Sequence, residues 1–266
     1  MSLMFPEIDP VAIQLGPLAI RWYALAYLAG FLGGWFYASK LTKLEDKLRP
    51  NKDDIDDFLT WMVLGVILGG RLGYILFYNL PYYAEFPMEV FKLWEGGMAF
   101  HGGLIGAILS LILFSLYKKI PLMQMTDVIA VVTPIGLFFG RIANFVNAEL
   151  FGRITGQPWG MVFPTAPDDY PRHPSQLYEA ALEGVALFII LNILYYNKNI
   201  RSQHGFVSAA FLMGYATFRF IVEFFREPDQ HLGLLGSGMS MGQILCIPMF
   251  LFGVIVLAYA RRQKNH

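Results

Sequence analysis

The sequence is short of charge. Only 15% of its 266 residues are Asp, Glu, Lys or Arg, while 56% are hydrophobic. A water-soluble domain carries about 25% charged residues, so this chain has too little polar surface to face water. Neither sign is in excess: twenty basic residues stand against twenty acidic ones. The lack of a basic surplus to neutralise phosphates argues against a nucleic-acid partner. The one cysteine, Cys246, rules out an internal disulfide and any Cys-based zinc site. Lying in an apolar run, it reads as a buried, inert thiol. There is no H-E-x-x-H and no P-loop pattern, which disfavours zinc proteolysis and nucleotide chemistry. Met1–Leu18 has no basic run, so no cleavable signal peptide is expected.

What the chain has is long apolar stretches. They fall at about Ala19–Tyr37, Phe58–Leu80, Phe100–Tyr117, Val128–Phe145, Leu177–Tyr196, Phe206–Phe225 and Ser240–Tyr259, each able to cross roughly 30 Å of hydrocarbon as a helix. The alternation of an outer-membrane barrel is missing. The expected fold is an all-α polytopic membrane protein of about seven transmembrane helices, a single domain over 1–266. Twelve basic residues (Lys40, Lys43, Lys47, Arg49, Lys52, Lys118, Lys119, Lys198, Arg201, Arg261, Arg262 and Lys264) fall in the loops and tail of one side. Only Lys92, Arg153, Arg172 and Arg226 lie opposite. Because basic loops stay in the cytoplasm, the N-terminus is expected on the periplasmic face and the C-terminus in the cytoplasm. The longer loops, at about 81–99, 147–176 and 227–239, then all lie outside. Their Trp and Tyr residues, Trp94 and Trp159 among them, read as interfacial anchors.

Four arginines, Arg21, Arg71, Arg141 and Arg219, lie in or at the edges of apolar runs. A charge there costs a few kcal/mol or more, so each is a site hypothesis. Tyr215, Arg219, Glu223 and Arg226 share one helical face, either as a structural ion pair or as a polar stripe facing an anion. Arg141 and Asn144 share a face too. Asn147 and Glu149 join them only if the helix ends near Val146, an ending that Gly152 and the polar residues after it favour. His101 stands among four glycines at the start of the third run, either as a satisfied structural group or as a general base poised near neutral pH. Gln176, Glu179 and Glu183 line one face of the fifth run and can pair Arg71, Arg141 or Arg219, with Glu183 the acid suggested for Arg71. Arginines, a histidine and tyrosines at the outer half of a membrane suit a lipid phosphate better than redox or metal chemistry, because guanidinium forks match phosphate oxygens bidentately.

The run from Gly140 to Gly152, G-R-I-A-N-F-V-N-A-E-L-F-G, resembles the signature of bacterial prolipoprotein diacylglyceryl transferases. The resemblance extends through Arg21-Trp22-Tyr23, Gly69 to Tyr74, His101 to Leu104, Arg172 to Glu179 and Tyr215 to Arg226, nearly the whole chain in order. It implies transfer of a diacylglyceryl group from phosphatidylglycerol to the lipobox cysteine thiol of prolipoproteins, with release of glycerol 1-phosphate. It also implies seven spans in the bacterial inner membrane, a site toward the periplasm and no metal or organic cofactor. In that reading Arg141 and Arg219 bind the lipid phosphate and its departing charge. His101 is a candidate to deprotonate the thiol, with thiolate formation in the arginine field as the competing route. Tyr23, Asn144, Asn147, Glu149, Gly152 and Tyr215 complete the substrate-binding set, and Glu223 positions Arg219. A lipid or anion transporter, or a lipid-binding scaffold using the same arginines without chemistry, is the alternative.

Overall fold

The structure, a computed structural model, describes residues 3–6, 8–16, 18–45, 49–228 and 238–263. Among them five helices are long and apolar enough to cross a membrane: Lys52–Tyr78, Phe100–Lys118, Leu122–Val146, Ser175–Tyr196 and Met241–Arg262, with a shorter apolar helix at Phe206–Val222. The protein is thus mostly helical and of the multi-pass membrane type. Most of the third expected outer loop, 229–237, lies outside the described residues.

The chain packs as two compact units, one of residues 1–37 with 127–266 and the other of 38–126. The first opens with β1 (Leu3–Met4) and a hairpin of β2 (Val11–Leu15) and β3 (Leu18–Arg21). The first helix, α1 (Trp22–Leu41), therefore begins three residues after the Ala19 expected from hydropathy. The reason is local: Gly16 takes φ 58 at the hairpin tip, a left-handed value that glycine adopts without strain, and the chain before Trp22 pairs with itself.

The second unit is built on α2 (Lys52–Tyr78), followed by a short α3 (Leu80–Glu85), two 3-10 turns and α4 (Phe100–Lys118). A reciprocal capping box starts α2: Asn51 Oδ1 accepts from Asp54 N at 2.9 Å, and Asp54 Oδ2 accepts from Asn51 N at 2.9 Å. It sets the helix start well ahead of the apolar run. Further along, Gly65, Gly69 and Gly73 face Gly102, Gly106 and Ser110 of α4. A Cβ on Gly69 would lie 2.4 Å from the Gly102 carbonyl oxygen, and one on Gly106 only 2.0 Å from that of Gly65. This small-residue seam lets two backbones meet where no hydrophobic effect drives helices together. Leu64, Leu68, Leu72 and Leu76, one α-helical turn apart, remain 52–58% exposed on α2, a stripe suited to lipid.

The rest of the first unit holds α5 (Leu122–Val146), β4 (Met161–Val162), α6 (Ser175–Glu179), a π-helical segment Ala180–Ala186, α7 (Leu187–Tyr196), α8 (Lys198–Arg201), α9 (Phe206–Val222) and α10 (Met241–Gln263). α5 starts ahead of the expected Val128 and takes in Asp127. That carboxylate is buried but accepts from Gly205 N, Ser208 N and Ser208 Oγ at 2.6–2.7 Å, so it serves the first turn of α9, whose positive end favours it. The loop after α5 is ordered by β1 pairing parallel to β4 and by a small core of Ala148, Met161 and Phe163 against Phe5, Phe145 and Phe151.

Candidate active site

Four helical elements of the first unit deliver charge to one place. Arg141 comes from α5, Glu179 from the end of α6, Glu183 from the π segment and Arg219 from α9. Arg141 Nε lies 2.5 Å from Glu179 Oε2, and its Nη2 3.4 Å from Glu183 Oε2. Arg219 Nη1 lies 3.0 Å from Glu179 Oε1 and 3.7 Å from Glu183 Oε1, while its Nη2 pairs Glu223. Arg226 Nη1 stands 3.8 Å from Glu223. Glu179 and Glu183 are 1% and 0% exposed. Tyr215, one turn before Arg219, lies in the field of both arginines and both glutamates.

Three guanidinium groups thus face three carboxylates, and the cluster is close to neutral. That balance is what lets it exist in hydrocarbon, since an isolated buried charge costs several kcal/mol. The contacts are electrostatic more than directional. Neither oxygen of Glu179 has an aligned hydrogen-bond donor among the described residues, nor does Arg219 Nη1 have an aligned acceptor, despite the short separations. The carboxylates hold both arginines, Arg141 Nη2 through a hydrogen bond to Glu183 Oε2, and leave Arg219 Nη1 without an aligned acceptor. A phosphate can be received there without the arginines losing their anchors.

The helix geometry explains the convergence. Arg219 and Glu223 are i, i+4 on one helix, as the spacing predicts. Glu179 and Glu183 have the same spacing but straddle the α-to-π transition, a wider turn that is rare and frequent at functional sites. Glu223 also sits at the start of α10, where Ser240 Oγ donates to its Oε2 at 2.7 Å. Gly242 leaves it room, because a Cβ there would lie 2.6 Å from Glu223 Oε1.

Beside this cluster α5 ends at Val146, as the side-chain directions required. The chain turns through left-handed Ala148 (φ 53) and Leu150 (φ 58), folding Glu149 back so that Asn144 Nδ2 donates to its Oε1 at 2.7 Å. Tyr23 reaches Asn144 and lies close to Glu149 and to Tyr27. Asn144, Glu149 and Tyr23 therefore form one constellation, a turn along α5 from Arg141. Asn147 is half-buried, and no side-chain bond joins it to the other three among the described contacts. Gly152 is pinned between strands of loop: its N–H donates to the His173 carbonyl at 2.8 Å, and a Cβ would stand 2.4 Å from the Phe225 oxygen.

One expectation changes. Arg71 does not take Glu183. Its Nε donates to Val90 O, its Nη1 to Gly96 O and Gly97 O, and its Nη2 to Glu89 O and Lys92 O, at 2.6–3.3 Å, with Tyr83 beneath it. A carbonyl cage satisfies a guanidinium as well as an acid does, and here it fixes the loop after α3. Trp159 donates through Nε1 to Tyr178 Oη at 2.8 Å, and that hydroxyl is 3.1 Å from His173 Nδ1. Burial holds His173 below its ordinary pKa, so its neutral form is favoured. This trio had no periodic signal to reveal it. His101 belongs to the second unit, exposed at the first turn of α4 with its ring edge-on to Phe100. Arg21 is exposed at the end of β3. Among the described residues no group of His, Cys, Asp or Glu is arranged to hold a metal.

The family model for prolipoprotein diacylglyceryl transferase matches residues 10–259 of this chain. The chain belongs to the prolipoprotein diacylglyceryl transferase family. Its curated relatives in the family include proteins named phosphatidylglycerol–prolipoprotein diacylglyceryl transferase. The one from Azospirillum brasilense is 53% identical over 264 residues, covering 99% of this chain and 98% of the relative. That of Rhodospirillum rubrum is 50% identical over 264 residues, covering 99% and 96%. The Paramagnetospirillum magneticum protein is 52% identical over 263 residues, covering 98% and 97%. The family match therefore spans both units and every residue of the arginine–glutamate cluster.

Proposed function

We propose that this chain transfers the diacylglyceryl group of phosphatidylglycerol to the lipobox cysteine of a prolipoprotein, with the arginine–glutamate cluster as the phosphate site. The lipobox sulfur attacks C3 of the glyceryl group, a carbon–sulfur bond forms, and the C3–O bond to phosphate breaks. Its electron pair leaves on the phosphate oxygen, giving glycerol 1-phosphate and a thioether. Arg141 and Arg219 hold the phosphodiester and then meet the second negative charge that develops on it, preorganised by their carboxylates in a low-dielectric setting where such charges act strongly. The thiol must lose its proton, because the thiolate is the nucleophile and arginine stays protonated; His101 is the candidate base, and ionisation of the thiol in the arginine field is the competing route. Tyr23, Asn144, Asn147, Glu149, Gly152 and Tyr215 bound the headgroup, and Glu223 fixes Arg219.

The observation that carries this reading is the pair of buried arginines anchored on shared carboxylates, with Arg219 Nη1 lacking an aligned acceptor. In the membrane, α1 and α9 join the five longer apolar helices to make seven spans of one integral domain. The N-terminus lies in the periplasm, the C-terminus in the cytoplasm, and the site faces the periplasm of a bacterial inner membrane, with membrane lipids around it. The test is release of glycerol phosphate from phosphatidylglycerol by purified protein with a lipobox peptide. Release that depends on the peptide cysteine supports transfer. Lipid binding without release favours a lipid carrier or scaffold.

A further inference from the structure

Gln176 is 1% exposed, at the second position of α6. Its Nε2 donates to the Glu149 carbonyl at 2.7 Å. A carbonyl only accepts, so this bond fixes which end of the amide faces Glu149. The other end, Oε1, is buried without a hydrogen-bond partner among the described residues. Buried amide oxygens are nearly always paired, and an orphan one calls for an explanation. Its position supplies one. Gln176 lies one turn before Glu179 on the same face, and Glu179 stands between Arg141 and Arg219. Through Glu149 it also adjoins the Asn144 bond. Gln176 thus stands between Glu179 of the arginine–glutamate cluster and the turn at Glu149.

A phosphatidylglycerol head has two parts of opposite hydrogen-bonding character. The phosphodiester only accepts, and two arginines, which only donate, suit it. Yet every phosphatidyl lipid carries that group, so arginines alone cannot choose among them. The terminal glycerol brings hydroxyl donors, which require an acceptor, and a neutral acceptor does so without repelling the phosphate. We propose that Gln176 is a headgroup-selectivity residue, its Oε1 accepting a hydrogen bond from a hydroxyl of the donor lipid's terminal glycerol. The assignment rests on the transfer reaction proposed above. A site built to bond a hydroxyl discriminates strongly against an analogue lacking it, because its own buried polar group is then left unpaired.

The test compares kcat/KM for a lipobox peptide with phosphatidylglycerol and with phosphatidyl-1-propanol, similar in size but without headgroup hydroxyls. The wild-type protein should prefer phosphatidylglycerol by roughly a hundredfold or more. Gln176→Leu should lose activity on phosphatidylglycerol while keeping it on the propanol lipid, so that the preference collapses. Equal losses on both lipids would show that Gln176 only props the Glu149 carbonyl, and would overturn the assignment. Should the Leu variant not fold, the wild-type ratio decides: comparable use of the two lipids means no hydroxyl is read. Absence of any transfer from phosphatidylglycerol would sink the transfer reading and this assignment with it, whereas transfer indifferent to the headgroup removes the assignment alone.

Discussion

Replacing Glu179 by glutamine removes a negative charge from between two guanidinium groups with almost no change of shape. The carboxylate stands 2.5 Å from Arg141 Nε and 3.0 Å from Arg219 Nη1 and is 1% exposed. At an effective dielectric constant of about 20, charges about 4 Å apart attract by about 4 kcal/mol. Two such contacts are opposed by the several kcal/mol needed to dehydrate the carboxylate. A net loss of about 3–5 kcal/mol is the usual result when one partner of a buried pair is removed. For a chain of this size that corresponds to a fall in Tm on the order of 10 °C. Thermal unfolding in detergent of Glu179→Gln, Arg141→Met and the double variant measures it. The double variant should be less destabilised than the sum of the singles, with a coupling of about 1–3 kcal/mol. A Glu179→Gln protein that unfolds at the wild-type temperature would refute the anchoring role.

Other perturbations separate the remaining roles. Arg141→Lys keeps the charge but replaces a planar fork by a point charge; turnover should fall roughly a hundredfold, and near-normal release of glycerol phosphate would remove the bidentate-phosphate idea. His101→Gln, assayed across pH with a lipobox peptide, should lose most of its turnover; a profile unchanged in height and shape would end the general-base role. Gly152→Ala drives a methyl toward the Phe225 oxygen and the His173 backbone and should cost about 1–3 kcal/mol as overpacking, read as a drop in Tm. For His173, burial lowers the pKa from its ordinary 6.5. The unfolded chain then binds more protons in the window just below that value. His173 contributes stability that is fully present above it and is lost as pH falls through the folded value. His173→Phe should therefore flatten the loss of Tm between neutral and mildly acidic pH, and an unchanged slope would contradict the burial effect.

The membrane character, the pairing of Arg219 with Glu223 and the end of α5 near Val146 were legible in the sequence. Each follows from local rules: apolar length against bilayer thickness, the i, i+4 spacing, and side-chain directions that cannot converge on an unbroken helix. The Gly140–Gly152 signature added the family. Which acid meets which arginine was not legible. Gln176, Glu179 and Glu183 offered themselves to any of three arginines, and the suggestion of Glu183 for Arg71 failed because the loop at 89–97 brings five carbonyls to that guanidinium. The hairpin before Trp22, the π-helical turn carrying Glu183, the Trp159–Tyr178–His173 contacts and the orphan oxygen of Gln176 also required the folded chain. Periodicity states which face of a helix a residue occupies. Its partner, and whether every buried donor and acceptor finds one, depends on contacts between residues far apart in sequence, and only tertiary packing decides those.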